Sequence, residues 1–294
     1  MTHRLLLDTS SLMYRAFFAL PTSIVDAKGR PVNAVHGYLD FTSRLLGIHR
    51  PDEAVHVYDH DWKPAPRVAA YAGYKASRLP DPEALRGQFV LLREVLDALG
   101  APQAESPGWE ADDAIGVLCS RATPTERIDV VTGDRDLIQL VRDPVVRVLF
   151  TLRGVSEVAV FDEAAVEAKH GLPASRYADF ATLRGDPSDG LPGVVGVGEK
   201  TARALVLAYP DLDAMMEDAA RDRPTRPPVS GSPGLRARLR AAADYLAAMR
   251  DVVPVRTDVE VRTWGGRRDE ARLDELAAER NLAGPVRRLR QASE

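Results

Sequence analysis

Cysteine is nearly absent from this 294-residue chain, where Cys119 stands alone. One thiol leaves no intrachain disulfide framework and no cysteine-built zinc site. The six histidines are scattered, without the HExxH arrangement that holds a catalytic zinc. No apolar run reaches the ~18 residues that a membrane-spanning helix needs. The apolar N-terminal stretch, cut by Asp8 and Arg15, is too short for a secretory signal. These absences predict a soluble, cytoplasmic protein with no membrane partner. A basic excess is missing too: 39 Lys and Arg face 43 Asp and Glu, a net charge of −4. As a bulk figure that argues mildly against a polyanionic partner, so the positions of the acids become decisive.

Apolar residues make up 45% of the chain, enough for a substantial core, and at roughly 100–200 residues per domain the length allows one large or two modest domains. Residues 4–8 (RLLLD) read as a buried strand ending in an acid, with a helix following through Leu12, Arg15 and Phe18. A helical stretch from Val32 to Ile48 precedes the strand-like 54–58 and then Asp59, and residues 128–132 precede Gly133-Asp134. Short apolar runs alternating with helices favour a parallel sheet with crossover helices. In such sheets ligands bind beyond the carboxyl ends of the strands, so acids placed there can converge from distant positions. A single aspartate at such a place more simply caps the next helix; three of them, several with a second acid nearby, exceed what capping needs.

Residues 62–80 carry Lys63, Arg67, Lys75 and Arg78 and no acid, with two tyrosines and a tryptophan. This composition predicts an exposed, partly helical insertion ahead of a helix from Pro82 to Leu99. After about residue 171 the pattern changes to short helices with Gly/Pro punctuation, and 224–234 reads as a flexible loop. Arginines crowd the stretch from Arg221 to Ala243.

Further acids come in pairs. Glu110, Asp112 and Asp113 open a helix, where Glu110 and Asp113 share a face and Asp112 points about 100° from Asp113. Acids there also complement the helix dipole. Asp134 and Asp136 flank Arg135, which an extended backbone would turn to the opposite side. Asp186 and Asp189 sit in a turn shaped by Pro187 and Gly190. With Asp8 and Asp59 these make nine acids in five separated clusters. Neighbouring carboxylates about 4 Å apart repel by on the order of 1–4 kcal/mol per pair, so convergence requires protonation or cations. Oxygen-only donors favour Mg²⁺ or Mn²⁺ over zinc, and the surplus of carboxylates suggests two ions, as in phosphodiester hydrolysis.

Residues 191–202 (LPGVVGVGEKTA) fail as a phosphate loop, because Glu199 separates Gly198 from Lys200, and as a dinucleotide fingerprint, because Thr201 stands where a glycine belongs. The stretch is similar instead to a helix-hairpin-helix: a bare hairpin tip, then a helix from about Glu199 whose free N–H groups hold a phosphate beside Lys200 and Arg203.

The motifs LLLDTSSLMYRAF, VYD followed by R-x6-YKASR, WEADD, TGDRDLIQL and GDPSDGLPGVVGVGEKTA occur in the order found in the 5′ nuclease family, which the chain resembles over essentially its whole length. That family comprises the 5′–3′ exonuclease domain of bacterial DNA polymerase I and the flap endonucleases. The resemblance implies an α/β fold with a mostly parallel central sheet, a helical arch at about 62–82 that threads single-stranded DNA, and a helix-hairpin-helix subdomain. Residues 1–170 would form the catalytic domain, and 171–294 the hairpin subdomain with a C-terminal helical region.

Carried over by motif, Asp8, Asp59, Glu110, Asp112, Asp113, Asp134, Asp136, Asp186 and Asp189 become ligands of two divalent ions, Mg²⁺ or Mn²⁺, some directly and others through water. Lys75 and Arg78 become the catalytic cations at the scissile phosphate. Tyr74 becomes a stacking aromatic, and Arg15, Arg67, Gly196, Gly198, Lys200, Thr201 and Arg203 become DNA contacts, with a potassium ion at the hairpin. The implied substrates are DNA with 5′ flaps, nicks or single-stranded 5′ ends, and RNA primer strands, cut in replication and repair by a monomer. Two departures stand out. Gly190 replaces the family's usual Asn, and the loop 59–66 adds His60 and Asp61, so that either Asp59 or Asp61 takes the acid position. The chain ends at Glu294 with no polymerase segment, which predicts a freestanding nuclease. Two other readings compete: a non-catalytic structure-specific DNA binder, and a PIN-type ribonuclease, which would lack the hairpin of residues 185–203. Setting the nine acids aside leaves the remainder net positive, which fits a phosphate partner.

Overall fold

Leu5, Leu6 and Leu7 are wholly buried, and an uninterrupted apolar run of this kind suits a strand covered on both faces. In the computed structural model, which describes residues 1–153 and 157–292, the strands are β1 (Thr2–Asp8), β2 (Glu53–Tyr58), β3 (Gln103–Glu105), β4 (Glu126–Thr132), β5 (Val146–Arg153), β6 (Glu157–Phe161) and β7 (Arg262–Trp264). They form one sheet in the order β6-β5-β4-β1-β2-β3-β7. The five inner strands run parallel, and β6 and β7 close the edges antiparallel. The chain leaves β1 toward β2 on one side and reaches β4 on the other. The carboxyl end of β1 is therefore a topological switch point, where such sheets open a crevice.

The helices are α1 (Thr9–Ala19), α2 (Asn33–His49), α3 (Ala65–Ala70), α4 (Glu83–Leu99), α5 (Ala111–Ser120), α6 (Glu163–His170), α7 (Tyr177–Arg184), α8 (Glu199–Ala208), α9 (Leu212–Ala220), α10 (Pro233–Ala241), α11 (Ala243–Val252), α12 (Glu270–Glu279) and α13 (Ala283–Ala292). Side-chain alternation along the strands divides the core in two. Leu5, Leu7, Val131 and Leu149 pack under α1, α2, α4, α12 and α13. Leu6, Val57, Val130 and Val148 face α5 and the helices from α6 to α11. No helix among the described residues is long and apolar enough to cross a membrane.

Three features differ from the sequence reading. The stretch after 171 is not helical throughout: β7 returns to pair with β3, and α12 and α13 pack on α4 and α2. A three-residue edge strand carries too little periodicity to be read in advance. The loop at 224–234 is pinned rather than free, because Asp218 accepts hydrogen bonds from the Thr225 and Arg226 backbone and from Tyr209. The insertion at 62–80 is partly helical, as α3, yet Arg67, Tyr74 and Lys75 are only 3%, 4% and 6% exposed. Arg67 and Lys75 turn inward toward Glu110 and Asp113, since an acid-lined cavity offers them more than solvent does.

Candidate active site

Three of the five inner strands deliver an acid to the same end of the sheet. Asp8 closes β1, Asp59 follows β2, and Asp134 follows β4 after one glycine. Together with Glu110, Asp112, Asp136 and Asp189 they line one cavity of about 1090 Å³, into which Lys75, Arg78 and Arg15 also project.

The simple capping role and the cavity role coexist. Asp8 accepts the Ser11 N–H as the N-cap of α1, and its other oxygen accepts the Thr132 hydroxyl at 2.6 Å. Asp59 accepts the Ala111 N–H at 2.7 Å at the start of α5, whereas Asp61 holds the Lys63 N–H and does not line the cavity. Asp134 and Asp136 are not placed by extended backbone. The Asp134 carboxylate accepts the Asp136 N–H at 2.9 Å in a turn that leads into a short 3₁₀ helix at Asp136–Leu140. Both acids still face the cavity, and Arg135 does not.

Ten acidic side chains line this cavity against five basic ones, so it keeps a negative excess. Burial lifts Asp8 to about 7, the Thr132 bond opposing it and the charges of Asp59 and Asp134 adding to it. Asp112 is raised well above the ordinary carboxylate range by burial and then by Asp134 and Asp8. Asp136 is raised in the same way, by burial and then by Asp134, Asp189 and Asp186. Asp59 and Asp134 also rise, burial leading in both. Burial raises Asp189 to about 6 even against Lys75 and Arg78. Among the described residues no three acid, histidine or cysteine side chains are drawn together as a finished ion cage. All-oxygen donors around a roomy void with a negative excess fit hard divalent ions.

Some of the nine acids do not belong to this wall. Asp113 is fully buried, and both oxygens are occupied: Arg67 bridges them at 2.7 and 2.9 Å, with the backbone N–H groups of Arg256 and Glu110 completing the shell. The capping box that opens α5 holds it toward Arg67, and it does not line the cavity. Asp186 is spent on its own turn, accepting the Ser188 N–H and hydroxyl at 2.8 and 2.6 Å, and it does not line the cavity. Glu110 does line it, but already accepts from Arg67, Lys75 and the Tyr74 hydroxyl. Those bonds hold Arg67 and Tyr74 buried against Glu110 rather than open to solvent.

Lys75 enters from the insertion in a left-handed conformation, φ 49°, its N–H bonded to the Asp189 carbonyl at 2.8 Å. Strain of this kind is retained where the surroundings over-determine it. Arg78 lies 3.5 Å from Asp189 and remains partly open to solvent. Gly190, φ 74°, lies so close to the Gly73 carbonyl that a side chain would collide with it. The family's usual Asn would therefore not fit this packing.

At the hairpin, Val194 and Val197 are buried while Val195, Gly196, Gly198 and Lys200 face outward, and α8 begins at Glu199. Thr201 is half-buried in its first turn. Arg203 turns back over Gly171 toward the His170 carbonyl. Several arginines of 221–243 are structural: Arg236 and Arg240 donate to carbonyls at the end of α9, and Arg226 to Ala208. Arg238 instead stands beside Gly196 at the hairpin tip. Sequence reasoning also missed Thr132 and Ser11, which hold Asp8 and the Gly133 N–H. Their adjacency to Asp134 and Asp8 was the available signal.

Residues 3–171 match the family described as 5′-3′ exonuclease, N-terminal resolvase-like domain, and residues 172–273 match 5′-3′ exonuclease, C-terminal SAM fold. A 5′-3′ exonuclease of Streptomyces coelicolor is 45% identical over 97% of this chain and 98% of its own length. One from Mycobacterium tuberculosis is 42% identical over 98% and 96%. Among solved structures, a T5 5′-exonuclease with bound zinc ions superposes with TM-score 0.66 at 16% identity, covering 99% of this chain and 100% of that one. The catalytic core of Rad2 in complex with a DNA substrate gives TM-score 0.57 at 16% identity, over 98% and 90%.

Proposed function

The chain belongs to the 5′-3′ exonuclease family, and from that premise we propose that it hydrolyses DNA phosphodiesters near 5′ ends and at the base of 5′ flaps, with divalent cations held by Asp8, Asp59, Asp112, Asp134, Asp136 and Asp189. The observation that carries this reading is the convergence of strand-end acids on one cavity without matching positive charge. Mg²⁺ or Mn²⁺ supplies the Lewis acidity that makes water a nucleophile near neutral pH and offsets charge on the leaving oxygen.

The protein's own groups do the rest. Thr132 and the Ser11 N–H orient Asp8, and the Ala111 N–H orients Asp59. Lys75 and Arg78, which also line the cavity, stabilise negative charge that builds on the phosphate in the transition state. Both cations contact Asp189, so the turn that bears this acid also sets their position. The outward Gly196–Lys200 tip, with Arg238, offers backbone N–H groups and positive charge to duplex phosphates. The hairpin is also where the family's potassium ion would sit. The strand with the free 5′ end would enter past Arg15 and the insertion.

A 5′-labelled flap incubated with Mg²⁺ or Mn²⁺, and with excess chelator, tests this reading. Metal-dependent release of the labelled flap ending in a 3′-hydroxyl, with a 5′-phosphate left on the downstream strand, is expected, and cleavage that survives complete metal removal would overturn it. Matched flaps with DNA or RNA in the cleaved strand decide whether primers are also substrates.

A further inference from the structure

On the far side of the 133–136 turn lies a second cavity, of about 220 Å³, that shares no lining residue with the acidic one. Its lining includes Arg135, Lys169, Arg184, His170 and Glu199 over an aromatic floor of Phe150 and Phe161. Among the described residues none of the three cations has a carboxylate within ion-pair distance. Lys169 lies 4.7 Å over the Phe161 ring, and Arg184 lies 5.3 Å over the Phe180 ring and donates to the Gly185 carbonyl. One acid against three bases leaves the cavity positive. His170 is 7% exposed, and neither of its ring nitrogens has a hydrogen-bond partner. Orphaned polar atoms at such burial are uncommon and call for a partner. Burial, with Lys169, Arg184 and Arg135 adding to it, holds the imidazole below its usual range, so near pH 7 it is neutral, with one N–H to donate.

We propose that this cavity binds a phosphate oxyanion, enclosed by Arg135, Lys169 and Arg184 and hydrogen-bonded by His170. Guanidinium forks and an ammonium directed at one void suit a tetrahedral multivalent anion better than a monovalent one. The void is large enough for a phosphate group and too small for a folded polypeptide segment. Because Arg135 stands between Asp134 and Asp136, an occupied site would brace the turn that presents both acids to the catalytic cavity. The phosphate could belong to a bound strand or be free in solution, and the experiment separates these sources.

The full chain, free of divalent ions so that the acidic cavity offers no competing site, is titrated with inorganic phosphate at ionic strength held constant with chloride. Expected is saturable binding by calorimetry together with a shift of the His170 side-chain ¹⁵N resonances, assigned with His170→Gln. Loss of one charge-assisted contact in Lys169→Ala or Arg135→Ala should weaken binding by about tenfold. Lys169 is exposed, so its replacement leaves the core intact. In a second arm, flap-duplex affinity is measured in Ca²⁺. A severalfold loss in Lys169→Ala, with competition by phosphate, assigns the site to the strand. Phosphate binding lost in the variant with flap affinity retained assigns it to a free anion. No saturable phosphate binding, and equal flap affinity in the variant and the parent, would overturn the proposal.

Discussion

Arg67, which lines the acidic cavity, and Asp113, which does not, form a two-point bridge with N···O distances of 2.7 and 2.9 Å between side chains that are almost wholly buried. The bridge fastens the basic insertion to the first turn of α5. Breaking one partner of such a pair leaves an uncompensated buried charge, at a cost of about 3–5 kcal/mol. Arg67→Met and Asp113→Asn should therefore lower the urea midpoint of the metal-free protein strongly. Asp113→Asn should leave the Mg²⁺ dissociation constant near that of the parent. A large change in metal affinity with little change in stability would return Asp113 to the ligand set.

Asp134→Asn should behave in the opposite way. Removing one charge from a wall of repelling carboxylates raises the melting temperature of the metal-free protein, while turnover falls by at least about 100-fold through lost charge placement. Melting curves without metal and flap cleavage with saturating Mg²⁺ read both effects. A variant both less stable and fully active would refute the assignment.

The lifted Asp8 fixes a pH dependence. Its folded value, about 7, exceeds its ordinary 3.8, so between these values the folded state holds the proton that the unfolded state has lost. Stability of the metal-free protein then falls as pH rises through this window. Divalent ions compensate the charge, so the rise in melting temperature on adding Mg²⁺ should be larger at pH 8 than at pH 5. Equal increments at both pH values would refute it.

Flap binding in Ca²⁺ should weaken linearly on a log–log plot against salt, and Lys200→Ala should make the slope shallower by about one. A fluorescence anisotropy series at four or five salt concentrations measures this. An unchanged slope would mean that Lys200 does not meet a phosphate.

Cys119 is 4% exposed and burial pushes its thiol up to about 12. The native protein should resist thiol reagents at neutral pH and react at the rate of its own unfolding. Rapid labelling under native conditions would contradict the packing of α5.

The strand-end acids were legible because a buried parallel strand must be a short apolar run, and Asp8, Asp59 and Asp134 each follow one. The hairpin was legible because Gly196, Gly198 and the helix start at Glu199 fall within four residues. What escaped depended on partners distant in sequence. Nothing local distinguishes Asp112, which faces the cavity, from Asp113, which faces Arg67; the difference arises when the capping box fixes the rotation of α5. The inward turn of Arg67, Tyr74 and Lys75 likewise needs Glu110 in place first. The arginines of 221–243 looked alike, yet Arg236 and Arg240 serve carbonyl oxygens of α9 and Arg238 the hairpin tip. β7 contributes three residues to the sheet edge, too few for any pattern.

The catalytic wall is assembled from positions as distant as Asp8 and Asp189, and Asp8 gains its Thr132 partner only across 124 residues of chain. Long-range pairing of this kind forms late, since the loop must close before the contact repays it. During synthesis, the growing chain therefore holds no complete site until the 185–190 turn has emerged from the ribosome. Cleavage at one exposed loop before that turn separates Asp8 from its partners, so fragments should regain activity only when mixed.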